Sequence, residues 1–383
     1  MTFEFATAGR IIFGEGSVRK VPGLASASGK HSLLVTGRSR ERTGYLASAL
    51  EAEGISVTRY QVAQEPSTEL VREAAHVARN AGCDHVIGVG GGSVIDAGKV
   101  VSALMTNAGD LMDYLEVIGG GKTLARQAAP FIAVPTTAGT GAEVTRNAVI
   151  ESPEHRVKVS MRNHLMIPGY AVVDPELTYE LPPDITAVSG LDAMTQLIEA
   201  FVSNDSNPLT DAVCREGLRH AGSLRSACED GRNKAARSDM CIAALLSGMA
   251  LANARLGAVH GLAGPLGGMY PAPHGALCAR LLPFVVEANV NSLRKGMPGH
   301  RALERYEEVS RLLTGRSGAE IDDGLDWIVK LCGILNVPPL GDHGVLKKDF
   351  DEIISKSGRS SSMKGNPADL ADEELRGVLS RAL

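Results

Sequence analysis

The stretch Gly88–Lys99 reads GVGGGSVIDAGK. An apolar run ending at Val89 enters it and apolar residues at helical spacing leave it, which predicts a strand, a tight turn and a helix. Three consecutive glycines let the backbone take positive φ and approach a ligand without Cβ atoms in the way. The first turn of a helix offers unpaired N–H groups and a positive dipole end, which suit a phosphate. We therefore predict a pyrophosphate cradle; the alternative is a tight turn with nothing bound.

Length and composition limit the classes of protein to which the chain can belong. The chain has 383 residues, which favours two domains, and a net charge of −5, which argues against nucleic acid as the main partner. No apolar run approaches the length of a membrane span, and the first residues lack a signal-peptide pattern. The 6 cysteines are scattered without a CxxC pair, which indicates core residues in a reducing compartment and argues against metal binding by cysteine. We expect a cytoplasmic protein without a membrane partner.

Short apolar runs alternate with helical patterns over residues 1–180. This alternation predicts an α/β domain with a mainly parallel sheet. Ligands of such sheets bind beyond the carboxyl ends of the strands. Gly37, Gly90–Gly92 and Pro135–Thr137 each follow a predicted strand, so we expect them at one edge of the sheet.

From Leu181 onward the composition changes, and helix-length patterns dominate. We therefore predict an all-helical second domain over residues 181–383. The predicted helices are Leu209–Ser226, Arg237–Arg255, Pro283–Val290, Leu303–Leu313, Gly324–Leu335 and the tail after Asp349.

Three further groups of polar residues are candidates for binding a ligand or for catalysis. The stretch after the strand at Phe131–Val134 contains Thr136, Thr137 and Thr140, whose hydroxyls can bond a ligand; a solvated loop is the alternative. Asp192 and Gln196 are four apart, on one face of a predicted helix. Two histidines, at positions 260 and 274, lie among glycines and small apolar residues. They indicate a metal or catalytic site, or else two histidines satisfied in a crowded helix junction.

Together these motifs resemble the iron-containing (group III) alcohol dehydrogenase family. The resemblance covers nearly the whole chain, in the motifs Gly90–Lys99, Pro135–Val144, Val173–Pro175, Leu181–Ser203 and Gly257–Pro283. It implies a dehydroquinate-synthase-like architecture: a dinucleotide-binding α/β domain, an all-helical domain, and nicotinamide and substrate in the cleft between them. It also implies a homodimer that transfers hydride between NAD(P)H and an aldehyde or ketone.

The resemblance assigns cofactor-binding roles along the first domain. Those residues are Gly37, Arg38 and Ser39 at the adenosine, Gly90, Gly91, Gly92, Ser93 and Asp96 in the glycine motif, Thr136, Thr137 and Thr140 around the cofactor, and Lys158 in contact with it. Family members that prefer NAD carry an aspartate at the position of Gly37. No carboxylate stands there to repel a 2′-phosphate, and arginines follow it, so we predict that NADP(H) is preferred over NAD(H).

The family's metal site consists of one aspartate and three histidines, and this chain departs from it. Asp192, His260 and His274 match three of the positions, while Gln196 stands at the fourth. A neutral amide oxygen is a poorer ligand than imidazole, so Fe²⁺ or Zn²⁺ binding is weakened. Without metal, a protonated His260 or His274 would have to polarise and protonate the carbonyl.

Two other departures concern the substrate. Gly264 replaces a histidine that many family members carry, which removes one proton relay and opens space. Arg255 replaces a small residue and could bind a carboxylate, phosphonate or sulfonate of an anionic substrate; the alternative is a surface ion pair.

The sequence thus predicts an NAD(P)H-dependent alcohol dehydrogenase acting mainly on small aldehydes or ketones. The alternatives are a metal-independent maleylacetate-type reductase, a dehydroquinate-synthase-like lyase or cyclase, and a non-catalytic nucleotide-binding protein.

Overall fold

The computed structural model of the protein describes residues 2–38, 41–155 and 157–383, with only the backbone of residues 41–43. These residues form two compact units. The α/β unit contains residues 6–137 and 141–180. The helical unit contains residues 2–5, 138–140 and 181–383.

A parallel sheet forms the centre of the α/β unit. The strands of this unit are β1 (Arg10–Phe13), β2 (His31–Thr36), β3 (Ser56–Gln61), β4 (His85–Gly90), β5 (Phe131–Pro135), β6 (Asn147–Ser152), β7 (Val157–Arg162) and β8 (Tyr170–Val173). Six of them pair in parallel in the order β1-β8-β5-β4-β2-β3, and β6 and β7 form an antiparallel hairpin. Every residue of β4 is buried, as expected of a parallel strand covered on both faces. The predicted α/β domain with a mainly parallel sheet is confirmed.

Four helices belong to the same unit: α1 (Val21–Ser26), α2 (Glu41–Ala52), α3 (Thr68–Ala81) and α4 (Gly92–Thr106). Local chemistry sets the ends of α3. Ser67 accepts the Leu70 N–H at its start, and Gly82 ends it in the left-handed conformation.

The motif Gly88–Lys99 folds into a strand, a turn and a helix, as predicted. The reason for its glycines differs from the prediction, because none of Gly90, Gly91 and Gly92 has positive φ. Close packing requires the first of them: a Cβ at Gly90 would lie 2.4 Å from Val94 Cγ2. The turn therefore depends on the absence of a side chain and not on a left-handed backbone.

The strand ends predicted to share one edge of the sheet do so. Strands β2 and β4 are in register up to Thr36, and β4 and β5 end opposite each other at Gly90 and Pro135. The connections that follow these three strands therefore begin side by side at the carboxyl edge.

Ten helices form the described part of the helical unit. They are α5 (Pro183–Val202), α6 (Pro208–Ala221), α7 (Leu224–Glu229), α8 (Lys234–Asn253), α9 (Ala258–Met269), α10 (His274–Gly296), α11 (Arg301–Thr314), α12 (Ile321–Ile334), α13 (Phe350–Ser357) and α14 (Asp372–Ala382). The predicted all-helical domain is confirmed, with α5, α9 and α10 buried in one apolar core.

Two predicted helix boundaries are wrong. The helix predicted over Leu209–Ser226 is two helices, α6 and α7, because the chain turns between them. The helix predicted to start at Pro283 begins at His274, and the proline lies inside it. Burial of α10 outweighs the hydrogen bond that a proline removes, since packing supplies most helix stability in proteins.

Two helices, α5 and α8, are long and apolar enough to meet the length and composition limits for crossing a membrane. On those limits the prediction that no run approaches such a length is wrong. The windows are 83% and 61% buried inside the protein, and α5 carries the buried side chains of Asp192 and Glu199. Burial to this extent is typical of the interior helices of a globular fold.

Candidate functional site

The carboxyl edge of the sheet gathers most of the predicted pyrophosphate-binding residues. Gly91 caps α4, whose first turn directs backbone N–H groups and the positive dipole end outward. The Thr136 N–H donates to the Gly90 carbonyl at 2.9 Å. A Cβ at Gly91 would contact Thr137 Cγ2 at 3.4 Å. The edge is therefore narrow and rich in donors, which suits an anion.

Glu65 brings two predicted cofactor residues together. Ser93 Oγ donates to Glu65 Oε1 at 3.2 Å, and Lys158 Nζ lies 3.2 Å from Glu65 Oε2. Ser93 lies in the first turn of α4 and Lys158 lies on β7, so this carboxylate connects the β6–β7 hairpin to the glycine turn. Sequence reasoning missed Glu65, because nothing in the sequence distinguishes it from a solvated glutamate.

The predicted adenosine-binding turn follows β2. Arg38 Nε donates to the Ala63 carbonyl at 2.5 Å, and Gln61 Nε2 lies 3.3 Å from the Gly37 carbonyl oxygen. The Arg38 side chain is exposed. Ser39 lies outside the described residues, so its predicted role stays a prediction.

The last two predicted cofactor-binding residues, Asp96 and Thr140, make other contacts or lie in the other unit. Asp96 Oδ2 accepts the Val149 N–H at 2.9 Å, and its Oδ1 pairs with buried Lys99 at 3.2 Å. The first contact ties α4 to β6, and the second is an ion pair within α4. Thr140 belongs to the helical unit. A cofactor role for Asp96 and Thr140 stays a prediction.

In the helical unit, three predicted metal ligands converge from three helices. Asp192 lies on α5, His260 on α9 and His274 at the start of α10. Asp192 Oδ1 is 3.4 Å from His260 Nε2 and 3.9 Å from His274 Nε2. Gly275 allows this approach, because a Cβ there would lie 2.5 Å from the Val188 carbonyl oxygen of α5.

Glu199 orients His260. Its Oε2 accepts the His260 Nδ1–H at 2.6 Å, and its Oε1 accepts the Val259 N–H at 2.7 Å. The carboxylate thus caps α9 and fixes the tautomer in which Nε2 of the neutral ring is free to bind a metal. Sequence reasoning missed Glu199, although it lies seven residues after Asp192 on the same face of α5.

Gln196 contacts the cluster through Asp192. Its Nε2 donates to Asp192 Oδ2 at 3.2 Å, and its Oε1 lies 3.0 Å from Ser247 Oγ. Both ends of the amide are therefore engaged, and its predicted role as a metal ligand stays a prediction.

Cys278 is a further donor that the sequence analysis set aside. Its Sγ lies 3.7 Å from His260 Nε2 and 3.6 Å from His274 Nε2. The cysteine is buried, as predicted, but it belongs to a potential metal-binding group with Asp192 and the two histidines. The signal that could have found it is its position four residues after His274.

The charges within this group shift the pKa values of His260, His274 and Asp192. Burial opposes protonation of His260, but negative charge at Cys278 and contact with Asp192 outweigh it and raise the His260 pKa well above its usual value. Negative charge at Cys278 likewise raises the pKa of His274. Burial raises the Asp192 pKa, yet the two histidines lower it overall. The metal-free cluster therefore holds protons that a bound cation would displace.

The donor set fits a divalent metal. Asp192 Oδ1 is buried and accepts no well-aligned hydrogen bond from the described residues. Such an atom is costly unless a cation or donor satisfies it. A carboxylate and two imidazoles around it are ligands that both Fe²⁺ and Zn²⁺ accept.

Arg255 and Gly264, the two positions near the substrate that depart from the family pattern, have well-defined surroundings in the structure. Arg255 Nε forms an ion pair with Asp205 Oδ2 at 2.8 Å, and both side chains are about half exposed. This is the surface ion pair named as the alternative to substrate binding. A Cβ at Gly264 would have no tertiary neighbour within 4 Å among the described residues, so open space does surround this position.

Comparison with known proteins decides the family. The chain matches the family described as iron-containing alcohol dehydrogenase over residues 8–175, and the C-terminal part of the Fe-containing alcohol dehydrogenase family over residues 186–383. The protein is an iron-containing alcohol dehydrogenase family member. It is therefore an oxidoreductase acting on CH–OH groups, and its family implies a nicotinamide dinucleotide and a metal such as iron.

Relatives of this family align along nearly the whole chain. Alcohol dehydrogenase 4 of Saccharomyces cerevisiae (strain YJM789) is 35% identical over 377 residues, covering 97% of this chain and 96% of its own length. A solved 1,3-propanediol oxidoreductase superposes with a TM-score of 0.92 at 32% identity, covering 100% of both chains. A sulfoacetaldehyde reductase from Bifidobacterium kashiwanohense, solved in complex with NAD+, has a TM-score of 0.86 at 27% identity, covering 99% and 98%.

Proposed function

We propose that the protein is an NAD(P)H-dependent reductase of small, neutral aldehydes or ketones, and in reverse a dehydrogenase of the corresponding alcohols. The observation that carries this proposal is the convergence of Asp192, His260 and His274 around a buried carboxylate oxygen. Reduction consumes one hydride and one proton for each carbonyl converted to an alcohol.

The residues of the chain divide the work between binding and positioning. When bound, the metal would supply a Lewis acid for the carbonyl oxygen and the reduced dinucleotide would supply the hydride. Asp192 Oδ1 and Nε2 of His260 and His274 would hold the metal. Glu199 keeps the His260 ring in the required tautomer, and Gln196 anchors the other oxygen of Asp192.

We propose that NADP(H) is preferred over NAD(H). The support is the absence of a carboxylate at Gly37 and the exposed Arg38 that follows β2. A guanidinium there can bind a 2′-phosphate bidentately. The test is the ratio of kcat/KM for NADPH and NADH with one aldehyde, and an equal or higher value for NADH would contradict the preference.

A neutral substrate is favoured by charge. Asp192 and Glu199 place two carboxylates at the cluster, while Arg255 is already paired with Asp205. The 1,3-propanediol oxidoreductase among the relatives is named for an uncharged diol. An anionic aldehyde is the second candidate, supported by the sulfoacetaldehyde reductase that is similar to this chain.

We also propose a cytoplasmic homodimer, on the strength of the family resemblance. Light scattering of the purified protein measures the mass directly, and a monomer at micromolar concentration would contradict this assembly.

The decisive experiment combines elemental analysis with NADPH oxidation over a panel of neutral and anionic aldehydes. We expect one divalent metal per chain, alcohol formation equal to NADPH consumed, and loss of turnover in Asp192→Asn. A lyase recycles its cofactor, so product without net NADPH consumption would contradict the proposal. Tight NADPH binding without turnover of any carbonyl would instead indicate a non-catalytic protein.

A further inference from the structure

The metal-binding group contains a thiol close to both histidine nitrogens. Cys278 Sγ lies 3.6 Å from His274 Nε2 and 3.7 Å from His260 Nε2. With Asp192 Oδ1, the four donor atoms all lie within 4.8 Å of one another. His274 and Cys278 are one helical turn apart on α10, so the helix directs both side chains to the same face.

Four of the six donor–donor distances can be compared with the edges of a tetrahedral metal centre. Zinc bonds of about 2.3 Å to sulfur and about 2.0 Å to nitrogen or oxygen imply sulfur–nitrogen edges of about 3.5 Å and oxygen–nitrogen edges of about 3.3 Å. The sulfur–nitrogen distances here are 3.6 and 3.7 Å. The oxygen–nitrogen distances are 3.4 and 3.9 Å. Three of these distances are close to the expected edges and the Asp192–His274 distance is longer, so the donors surround a space of about metal-ion size.

Gln196, the residue at the family's fourth ligand position, is committed to other partners. Its amide nitrogen donates to Asp192 Oδ2 and its amide oxygen faces Ser247 Oγ. Gln196 therefore holds the Asp192 carboxylate through the oxygen that does not face the histidines. The fourth position of the site is therefore left to a donor on another helix.

We propose that Cys278 Sγ completes the metal site in place of Gln196, giving one carboxylate, two imidazoles and one thiolate. The inference rests on the proposed function only in treating this site as the catalytic one. A thiolate in a tetrahedral nitrogen–oxygen–sulfur set favours Zn²⁺ over harder ions. Two anionic ligands also neutralise a divalent ion, which lowers its attraction for an anionic substrate.

Cobalt substitution tests the thiolate directly. The metal-free protein is titrated with Co²⁺, and the near-ultraviolet spectrum is recorded. A cobalt–thiolate bond gives an intense charge-transfer band that oxygen and nitrogen ligands do not give. We expect the band to saturate at one Co²⁺ per chain and to vanish in both Cys278→Ser and Cys278→Ala.

Affinity measurements separate a ligand from a neighbour. Competition with a chelator should show a loss of Co²⁺ affinity of more than about 100-fold in Cys278→Ser, because loss of an outer partner alone costs about 10–100-fold. Cys214→Ser, at a buried cysteine on α6, is the matched control and should keep both band and affinity. Gln196→Ala should keep the band. Circular dichroism confirms that each variant is folded.

Three results would overturn the proposal: no Co²⁺ binding, stoichiometric Co²⁺ without the band, or an affinity loss of about 100-fold or less in both Cys278 variants. NADPH oxidation is measured in parallel. Turnover without the band would refute the thiolate ligand and leave the dehydrogenase activity standing. The band without turnover of any carbonyl would support the ligand and refute the proposed function.

Discussion

The carboxylate of Glu199 reaches both the ring of His260 and the first turn of α9. We expect Glu199→Gln to weaken metal binding by about 10–100-fold, because a neutral amide no longer holds the imidazole in the ligating tautomer. Competition of the variant and the native protein with a chelator for Zn²⁺ measures the loss.

The matched control is Glu308→Gln, which breaks an ion pair with Arg215 in the same helical unit. It should leave the metal affinity unchanged. If Glu199→Gln bound Zn²⁺ as tightly as the native protein, the orienting role of this carboxylate would be refuted.

Arg255 gives a second prediction at the scale of one residue. Because its half-exposed pair with Asp205 is screened by solvent, Arg255→Ala should change the free energy of unfolding by less than about 1 kcal/mol. The kcat/KM for a neutral aldehyde should stay within about twofold. A loss of tenfold or more, confined to anionic aldehydes, would instead support the predicted substrate-binding role.

Single residues of the site were predictable to different degrees. Asp192, His260 and His274 stand in recognisable motifs, and the structure brings them together. Glu199 and Cys278 lie in the same motifs but were not singled out, because a buried glutamate or cysteine acquires a role only from the helices packed against it. Their spacing along α5 and α10 is informative only once both helices are known.

At the scale of elements, the approach of α10 to α5 depends on Gly275. A Cβ there would lie 2.5 Å from the Val188 carbonyl oxygen, a backbone atom that cannot rotate away. We expect Gly275→Ala to lower the free energy of unfolding by about 1–3 kcal/mol and to reduce the metal content, since His274 precedes it. Urea unfolding and elemental analysis measure the two effects.

Gly377 on α14 provides the comparison. A Cβ there meets no tertiary neighbour within 4 Å in the described part of the chain. Gly377→Ala should therefore raise stability by about 0.5–1 kcal/mol through helix propensity alone. Equal effects of the two substitutions would show that Gly275 is not a packing constraint.

The elements themselves were largely predictable, and the exceptions have physical reasons. Alternating apolar runs predicted the strands of the sheet, because buried parallel strands are short and apolar. The stretch around His260 is rich in glycine, and Pro283 lies inside α10, so local propensity concealed α9 and the start of α10. Tertiary packing overrides that propensity.

Among properties of the whole molecule, the pH dependence of stability has an identifiable contributor. Glu143 is buried near Lys99, whose pKa burial lowers. Burial raises the pKa of Glu143 from 4.5 to about 7. Its carboxyl therefore binds a proton more tightly in the folded chain than in the unfolded chain, and this stabilisation is complete below pH 4.5 and lost as the pH rises through about 7.

We expect Glu143→Gln to remove this dependence, because an amide mimics the protonated acid at every pH. Relative to the native protein, the variant should gain on the order of 3 kcal/mol between pH 4.5 and pH 8. Urea unfolding across that range measures the gain, with the exposed Glu53→Gln as control. Parallel stability curves for Glu143→Gln and the native protein would contradict the assignment.

Removing the metal should affect one unit of the molecule. Because the candidate ligands lie on α5, α9 and α10, we expect chelation to accelerate amide hydrogen exchange in those helices and to leave β4 and its neighbours in the sheet unchanged. Exchange followed by mass spectrometry resolves the segments. Equal changes in both units would refute a metal held by these helices.

The two-part architecture and the family were predictable from motifs spread along the whole chain. The preferred dinucleotide and the substrate were not, because each depends on a few side chains whose partners are set by tertiary contacts. Arg255 is the clear case: the sequence allowed a substrate contact, and the folded chain pairs it with Asp205.

The convergence of α5, α9 and α10 also has a consequence for the unfolded chain. Asp192 and His260 are 68 positions apart in the sequence. An ion bound to both would act as a cross-link, and closing a loop of that length costs an unfolded chain about 4 kcal/mol on the scale used for disulfides. An ion that binds only the assembled helices would therefore add stability that rises with its free concentration.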